Sequence, residues 1–200
     1  MMTVTAGILS QKSSRGLESR LMPRIKIIGC SGSGKSTLAR EVHQRLGIPW
    51  LELDSLQHQS DWTPMEPELF RDSVSDFIER HQDWVIDGNY RVVSDLIHPR
   101  CTDLVWLDVP LMKIMWQLGV RSATRVICRT ELWNGNRESL RSHLSMDPEE
   151  SVLLWAMKTH REFPNRFKSL ADDPVLSHVQ CHRIHDQPTR DRWLDTLSMP

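Results

Sequence analysis

The 200-residue chain is poor in several features that would assign it to a class at once. Cysteine is scarce: Cys30, Cys101, Cys128 and Cys181 lie far apart and make no CxxC pair. That spacing argues against a disulfide framework and against zinc, and it fits a reducing cytosol. No apolar run approaches the roughly 18 residues that a membrane span needs. Neither charge sign is in excess, since 25 Lys and Arg stand against 26 Asp and Glu for a formal net charge of −1. The chain therefore has no global field to draw it to nucleic acid or an acidic membrane. The nine histidines include no H-x-x-x-H pair on a predicted helix, so a metal cluster is unsupported. Internal repeats and low-complexity blocks are also missing.

What is present is the composition of a soluble globular protein, 39% hydrophobic and 26% charged. Residues 1–21 have no secretory apolar core and are expected to form a disordered extension, with a single domain over 22–200. The expected location is cytoplasmic and the expected state a monomer or homodimer.

Apolar runs alternate with helical patterns, the mark of a parallel sheet with covering helices. "RIKII" from Arg24 predicts a buried first strand, and Leu38, Val42 and Leu46 recur at helical spacing after it. "WLEL" predicts a second strand ending at Asp54, and "WVI" a third ending at Asp87-Gly88. Between them Phe70, Val74, Phe77 and Ile78 mark an amphipathic helix. "DLVWLDV" predicts a fourth strand to Val109, and Pro110 opens a long helix toward Arg129. Asp147-Pro148-Glu149-Glu150 is a helix start. "VLSHVQCHRI" reads as a weak fifth strand and "PTRDRWLDTL" as a closing helix. The tryptophans fall mostly at core positions, with Trp62 and Trp133 in loops.

Between the first strand and its helix stands "GCSGSGKST", which fits G-x-x-x-x-G-K-[ST] at Gly29, Gly34, Lys35 and Ser36. Glycines let the backbone approach a phosphate closely, so the N–H groups of Ser31, Gly32, Ser33, Gly34 and Thr37 can turn inward. The helix beginning near Lys35 adds its positive end. Lys35 can reach β- and γ-phosphates, and the Ser36 hydroxyl can ligate Mg²⁺. The motif predicts an ATP site. A guanine-specific switch would need an N-K-x-D that the chain lacks. The expected fold class is α/β, a P-loop NTPase three-layer α/β/α domain with about five parallel strands and a small helical or loop lid.

Asp54 and Asp87 close predicted parallel strands, where open α/β sheets bind ligands. Asp87 is then expected to hold Mg²⁺ through water and Asp54 to orient or deprotonate an acceptor; each could instead cap a helix. Arg121 and Arg125 share one helical face with Arg129. Together with Arg137 they offer planar forks to a transferring phosphoryl group, although arginines at a helix end also satisfy its dipole.

"DGNYR" (Asp87 to Arg91) resembles the D-G-F-P-R stretch of adenylate kinases, and "RSATRVICR" resembles the paired lid arginines of that superfamily. "GCSGSGKSTLA", "LELDSL", "WVIDGNY" and "ELWNGNRES" together are similar to the FlaR-type proteins, adenylate-kinase-related P-loop proteins labelled for DNA topology modulation. The resemblance covers Arg24 to Leu197. It departs after the second strand, where Gln57 and His58 replace a ring and an aromatic residue. It implies transfer of the ATP γ-phosphoryl group, with Mg²⁺, to a small acceptor. Catalysis would fall to Lys35, Asp54, Asp87, Arg121 and Arg125. Arg91 would grip the acceptor or else be a solvated arginine, Arg137 would grip it from a mobile lid at about 128–146, and Asp186 to Arg190 would either pack the adenine or simply open the last helix. Nucleic acid is not expected as a partner. The competing reading is a nucleotide-dependent, nucleic-acid-binding regulatory protein, as the family label has it.

Overall fold

The computed structural model describes residues 22–128, 131–136 and 152–197. The extension over 1–21, the helix start at 147–150, and Arg129 and Arg137 lie outside the described residues.

Strand β1 (Arg24–Gly29) is the centre of a five-stranded, all-parallel sheet in the order β2-β3-β1-β4-β5. Its partners are β3 (Trp84–Asp87) on one side and β4 (Asp103–Leu107) on the other. The edges are β2 (Trp50–Glu52) and β5 (Gln180–Ile184). Helices α1 (Lys35–Leu46), α2 (Leu53–Gln57), α3 (Pro67–Arg80), α4 (Ser94–Ile97), α5 (Leu111–Ile127), α6 (Val152–Ala171) and α7 (Gln187–Leu197) connect and cover it. The fold class is α/β.

Side-chain alternation along β1 builds the layers. Ile25 and Ile27 join Val85, Val105 and Ile184 against α1 and α7, where Leu38, Val42 and Leu194 fill the space. Ile28 turns to the other face with Leu104 and Trp106, packed by Ile114 and Leu118 of α5 and Phe163 of α6. On the same face Trp84 and Ile86 meet Phe70 and Val74 of α3. The sheet is therefore sandwiched between two helical layers.

Three details differ from the pattern in the sequence. The second strand ends at Glu52, and Asp54 lies in the first turn of α2 rather than at a strand end. Ser55 Oγ bonds the Glu52 carbonyl at 2.7 Å, and Leu53 drops into the core, so the chain turns there. The fourth strand stops at Leu107, because Pro110 follows closely and α5 begins at Leu111. Trp116 is not core: it is 73% exposed on the outer face of α5. Among the described residues no helix is long and apolar enough to cross a membrane.

Candidate functional site

The order of strands reverses around β1, so the carboxyl ends of β1, β3 and β4 open a crevice there. The Gly29–Ser36 loop fills its floor. Gly34, at φ 95°, is the left-handed residue that starts α1, a conformation that L side chains rarely adopt. Gly32 is fixed by space as well as by its φ of 77°: a Cβ there would lie 2.5 Å from Leu118 Cγ, so α5 packs directly on the loop. Ser33 N–H closes the turn on the Cys30 carbonyl at 3.1 Å. Lys35 Nζ folds back over the loop and donates to the same carbonyl at 3.1 Å.

Beneath the loop, Ser36 Oγ donates to Asp87 Oδ2 at 2.8 Å, while Trp50 Nε1 donates to Asp87 Oδ1 at 2.8 Å. Asp87 is only 1% exposed. Burial pushes its carboxyl up from the ordinary value, and the Trp50 and Ser36 hydrogen bonds and Lys35 oppose that. An oxygen-only pair of hydroxyl and carboxylate at the foot of a phosphate-sized loop is a donor set that suits a hard cation such as Mg²⁺. Open space above Gly34 suits a phosphate chain, since nothing lies within 4 Å of a Cβ built there.

The stretch after β3 contributes a clamp. Asn89 Nδ2 donates to the Gly29 carbonyl at 2.7 Å and Asn89 Oδ1 accepts from Gly29 N–H at 3.3 Å. Arg166 of α6 in turn bonds the Asn89 carbonyl at 3.3 Å. Tyr90, the single tyrosine of the chain, donates its hydroxyl to Asp54 Oδ1 at 2.8 Å. Burial first, and the Asp54 charge second, hold the Tyr90 phenol far above its usual range, so it stays a donor.

A cavity of about 690 Å³ opens over the loop. Lys35 and Ser36 line one side, and Asp54, Arg121, Arg125 and Trp133 line the rest. Ser31, Gly32, Gly34 and Thr37 also border it, while Gly29 and Ser33 do not. Arg91 is elsewhere. It lines a separate cavity of about 590 Å³ with His98, Glu162 and Arg166, across Asn89 from the loop. Burial and then Arg91 itself hold the Arg166 guanidinium below its usual pKa. A third cavity of about 220 Å³ is bordered by Ser33, Thr37 and the turn into α7. There Asp186 Oδ1 accepts the Thr189 N–H at 2.8 Å, so its carboxylate caps that helix.

The segment 131–136 is docked, and its docking was not legible in the sequence. Trp133 Nε1 donates to Glu52 Oε2 at 2.8 Å, and its ring stacks on His58 at 5.7 Å between centroids. The buried Asn136 bonds the Gln59 carbonyl at 2.8 Å and accepts the Trp62 N–H at 3.0 Å. Asn134, left-handed at φ 55°, bonds the His58 carbonyl at 2.6 Å. Asn89, Tyr90, Glu52 and Arg166 were missed as site residues. The first two stand inside "DGNYR", but their partners are residues distant in the chain, and no local pattern announces them.

No family model and no curated protein matches the chain. Among solved structures it is similar to a shikimate kinase from Bacteroides thetaiotaomicron at 14% identity and TM-score 0.48, covering 88% of this chain and 96% of that one. A sugar kinase from Janibacter sp. matches at 16% identity and TM-score 0.49, over 90% and 99% of the two chains. A gluconokinase from Sinorhizobium meliloti matches at 14% identity and TM-score 0.46, over 88% and 95%. None of the three is a FlaR-type protein. At such distances the chemistry of this chain has to be read from its own residues.

Proposed function

We propose that the chain is an ATP- and Mg²⁺-dependent phosphotransferase that moves the γ-phosphoryl group to a small acceptor. The observation that carries this is the Ser36–Asp87 pair under a glycine loop with Lys35 above it, facing Asp54, Arg121 and Arg125 across one cavity. Such chemistry needs positioning and charge neutralisation more than covalent participation. Lys35 would leave the Cys30 carbonyl and take the β- and γ-phosphate oxygens, while loop N–H groups hold the chain of phosphates. Ser36, and Asp87 through water, would hold Mg²⁺, which when bound supplies charge neutralisation at the β- and γ-phosphoryl oxygens. Arg121 and Arg125 would meet the charge that develops on the transferring group.

Asp54 is proposed to orient or deprotonate the acceptor. Its Oδ1 is held by Tyr90, which leaves Oδ2 to orient an acceptor hydroxyl. Arg91, which lines the neighbouring cavity beside Arg166, is the proposed grip for an anionic part of an acceptor that extends past Asn89, and Arg137 is proposed to close on the acceptor from the lid. The lid at about 128–146 is a proposal too, with Trp133 as its contact to the Glu52 side. The FlaR-type resemblance is compatible with this reading and names no acceptor.

The test is ATP consumption by the wild-type chain and by Lys35→Ala, screened against nucleoside monophosphates, sugars and carboxylated small metabolites. Acceptor-dependent ADP release that disappears in the variant supports the reading. Mg²⁺-ATP binding without transfer to any of them, beside a gel shift with a steep salt slope, would favour the nucleic-acid reading instead.

A further inference from the structure

Four side chains recur every fourth residue along α5: Lys113, Gln117, Arg121 and Arg125. Of two neighbouring cavities, Lys113 borders the one of about 220 Å³ beside the turn into α7. Arg121 and Arg125 border the other, of about 690 Å³, over the phosphate loop. Gln117 borders both, and so do Gly34 and Thr37 on the opposite side. The junction of the two cavities is therefore lined from both sides. Each step of four residues advances about 6 Å along a helix, so the row runs from the smaller cavity to the larger with Gln117 between them.

Gln117 carries a second mark. Its Oε1 is sealed from solvent and has no hydrogen-bond partner among the described residues. A buried amide oxygen without a donor is costly, and a ligand that brings the donor gains what the free protein lacks. Phosphate oxygens only accept, so they cannot serve the amide oxygen in this orientation. A hydroxyl both donates and accepts, and it satisfies the amide whichever way the carboxamide is turned. In a nucleoside triphosphate whose phosphates lie on the loop and whose base fills the smaller cavity, the part at the junction is the sugar.

We propose that Gln117 reads the sugar: its amide hydrogen-bonds a ribose hydroxyl and makes the site prefer nucleotides that carry one. This assignment rests on the nucleotide reading above. Calorimetric titration of the full chain with Mg²⁺-ATP and with Mg²⁺-2′,3′-dideoxy-ATP tests it. Wild type is expected to hold ATP about tenfold more tightly, the worth of one well-made hydrogen bond to a buried group. Gln117→Leu should bind the dideoxy nucleotide as wild type does and lose the preference. Equal affinities in the wild type overturn the assignment without need of any variant, and so does a preference that survives in Gln117→Leu. Failure of the wild type to bind either nucleotide overturns the nucleotide reading itself, and this one with it.

Discussion

Ser36 Oγ donates a 2.8 Å hydrogen bond to Asp87 Oδ2, tying the first turn of α1 to the end of β3. The pair is the proposed cation site, closed here by its own hydrogen bond, and the Trp50 indole fixes the other carboxylate oxygen. Asp87→Asn should leave the fold intact and raise the Mg²⁺ concentration needed for half-maximal ATP binding about tenfold, the loss of a charge-assisted contact. The wild-type dependence has a sign. Burial raises the Asp87 pKa, and only the carboxylate serves a cation, so Mg²⁺-ATP binding should begin to fail at a pH above the ordinary aspartate range. That acid limb should be missing in Asp87→Asn. Superimposable Mg²⁺ titrations would reduce the pair to a structural tie.

Asn89 holds both backbone groups of Gly29. Asn89→Leu removes two hydrogen bonds worth about 1 kcal/mol each and leaves the Gly29 N–H and carbonyl without those partners. We expect a lower melting temperature and several-fold weaker ATP binding together. A variant that melts lower but binds ATP normally would show that the clamp serves the sheet and not the loop.

The glycine loop was legible because its conformation is written in consecutive residues: one strand, one glycine-rich turn and one helix start fix Gly29 to Ser36. The sheet was legible because buried parallel strands read as short apolar runs. What could not be read was anything made by pairing across the chain. Nothing near Trp133 announces Glu52, and nothing near Asn89 announces Gly29. Trp116 shows the limit of composition. It stands four residues after Met112 and four before Val120, and all three are exposed on α5, so an apolar helical stripe faced outward where the pattern pointed inward. Arg91 is the case of correct motif and different surroundings: it follows "DGNY" as expected, yet lines the cavity on the Arg166 side.

The docking of 131–136 centres on Asn136, whose side chain bridges the Gln59 carbonyl and the Trp62 N–H. Asn136→Ala should speed hydrogen exchange at the Trp62 amide by about tenfold, the loss of one such bond. Exchange of the Leu132 amide, bonded to the Asn136 carbonyl at 2.7 Å, should rise with it if the segment releases as a unit. Unchanged exchange at Trp62 would mean that the Trp133–Glu52 and His58 contacts hold the segment alone.

Lys26 is buried on β1, and burial lowers its pKa to about 8, against the attraction of Asp87. Its Nζ has no hydrogen-bond partner among the described residues. The unfolded chain keeps this proton up to the ordinary lysine value of 10.5, so between about 8 and 10.5 the unfolded state binds more protons. Stability should therefore rise with pH across that window, by an amount on the order of 3 kcal/mol at most. Denaturant titrations of wild type and Lys26→Met at both ends of the window check it. The variant should lack the rise, and an identical rise in both would assign the titration to another group.

Titration of Mg²⁺-ATP into the wild-type chain and into Lys35→Ala bears most directly on the phosphate cradle. Among the described residues Lys35 donates to the Cys30 carbonyl, a contact that α1 can lose without unfolding. Wild type should bind, and the variant should bind at least about tenfold more weakly, the worth of a hydrogen bond from a charged donor. A folded Lys35→Ala chain with wild-type affinity, or a wild-type chain with none, would contradict it.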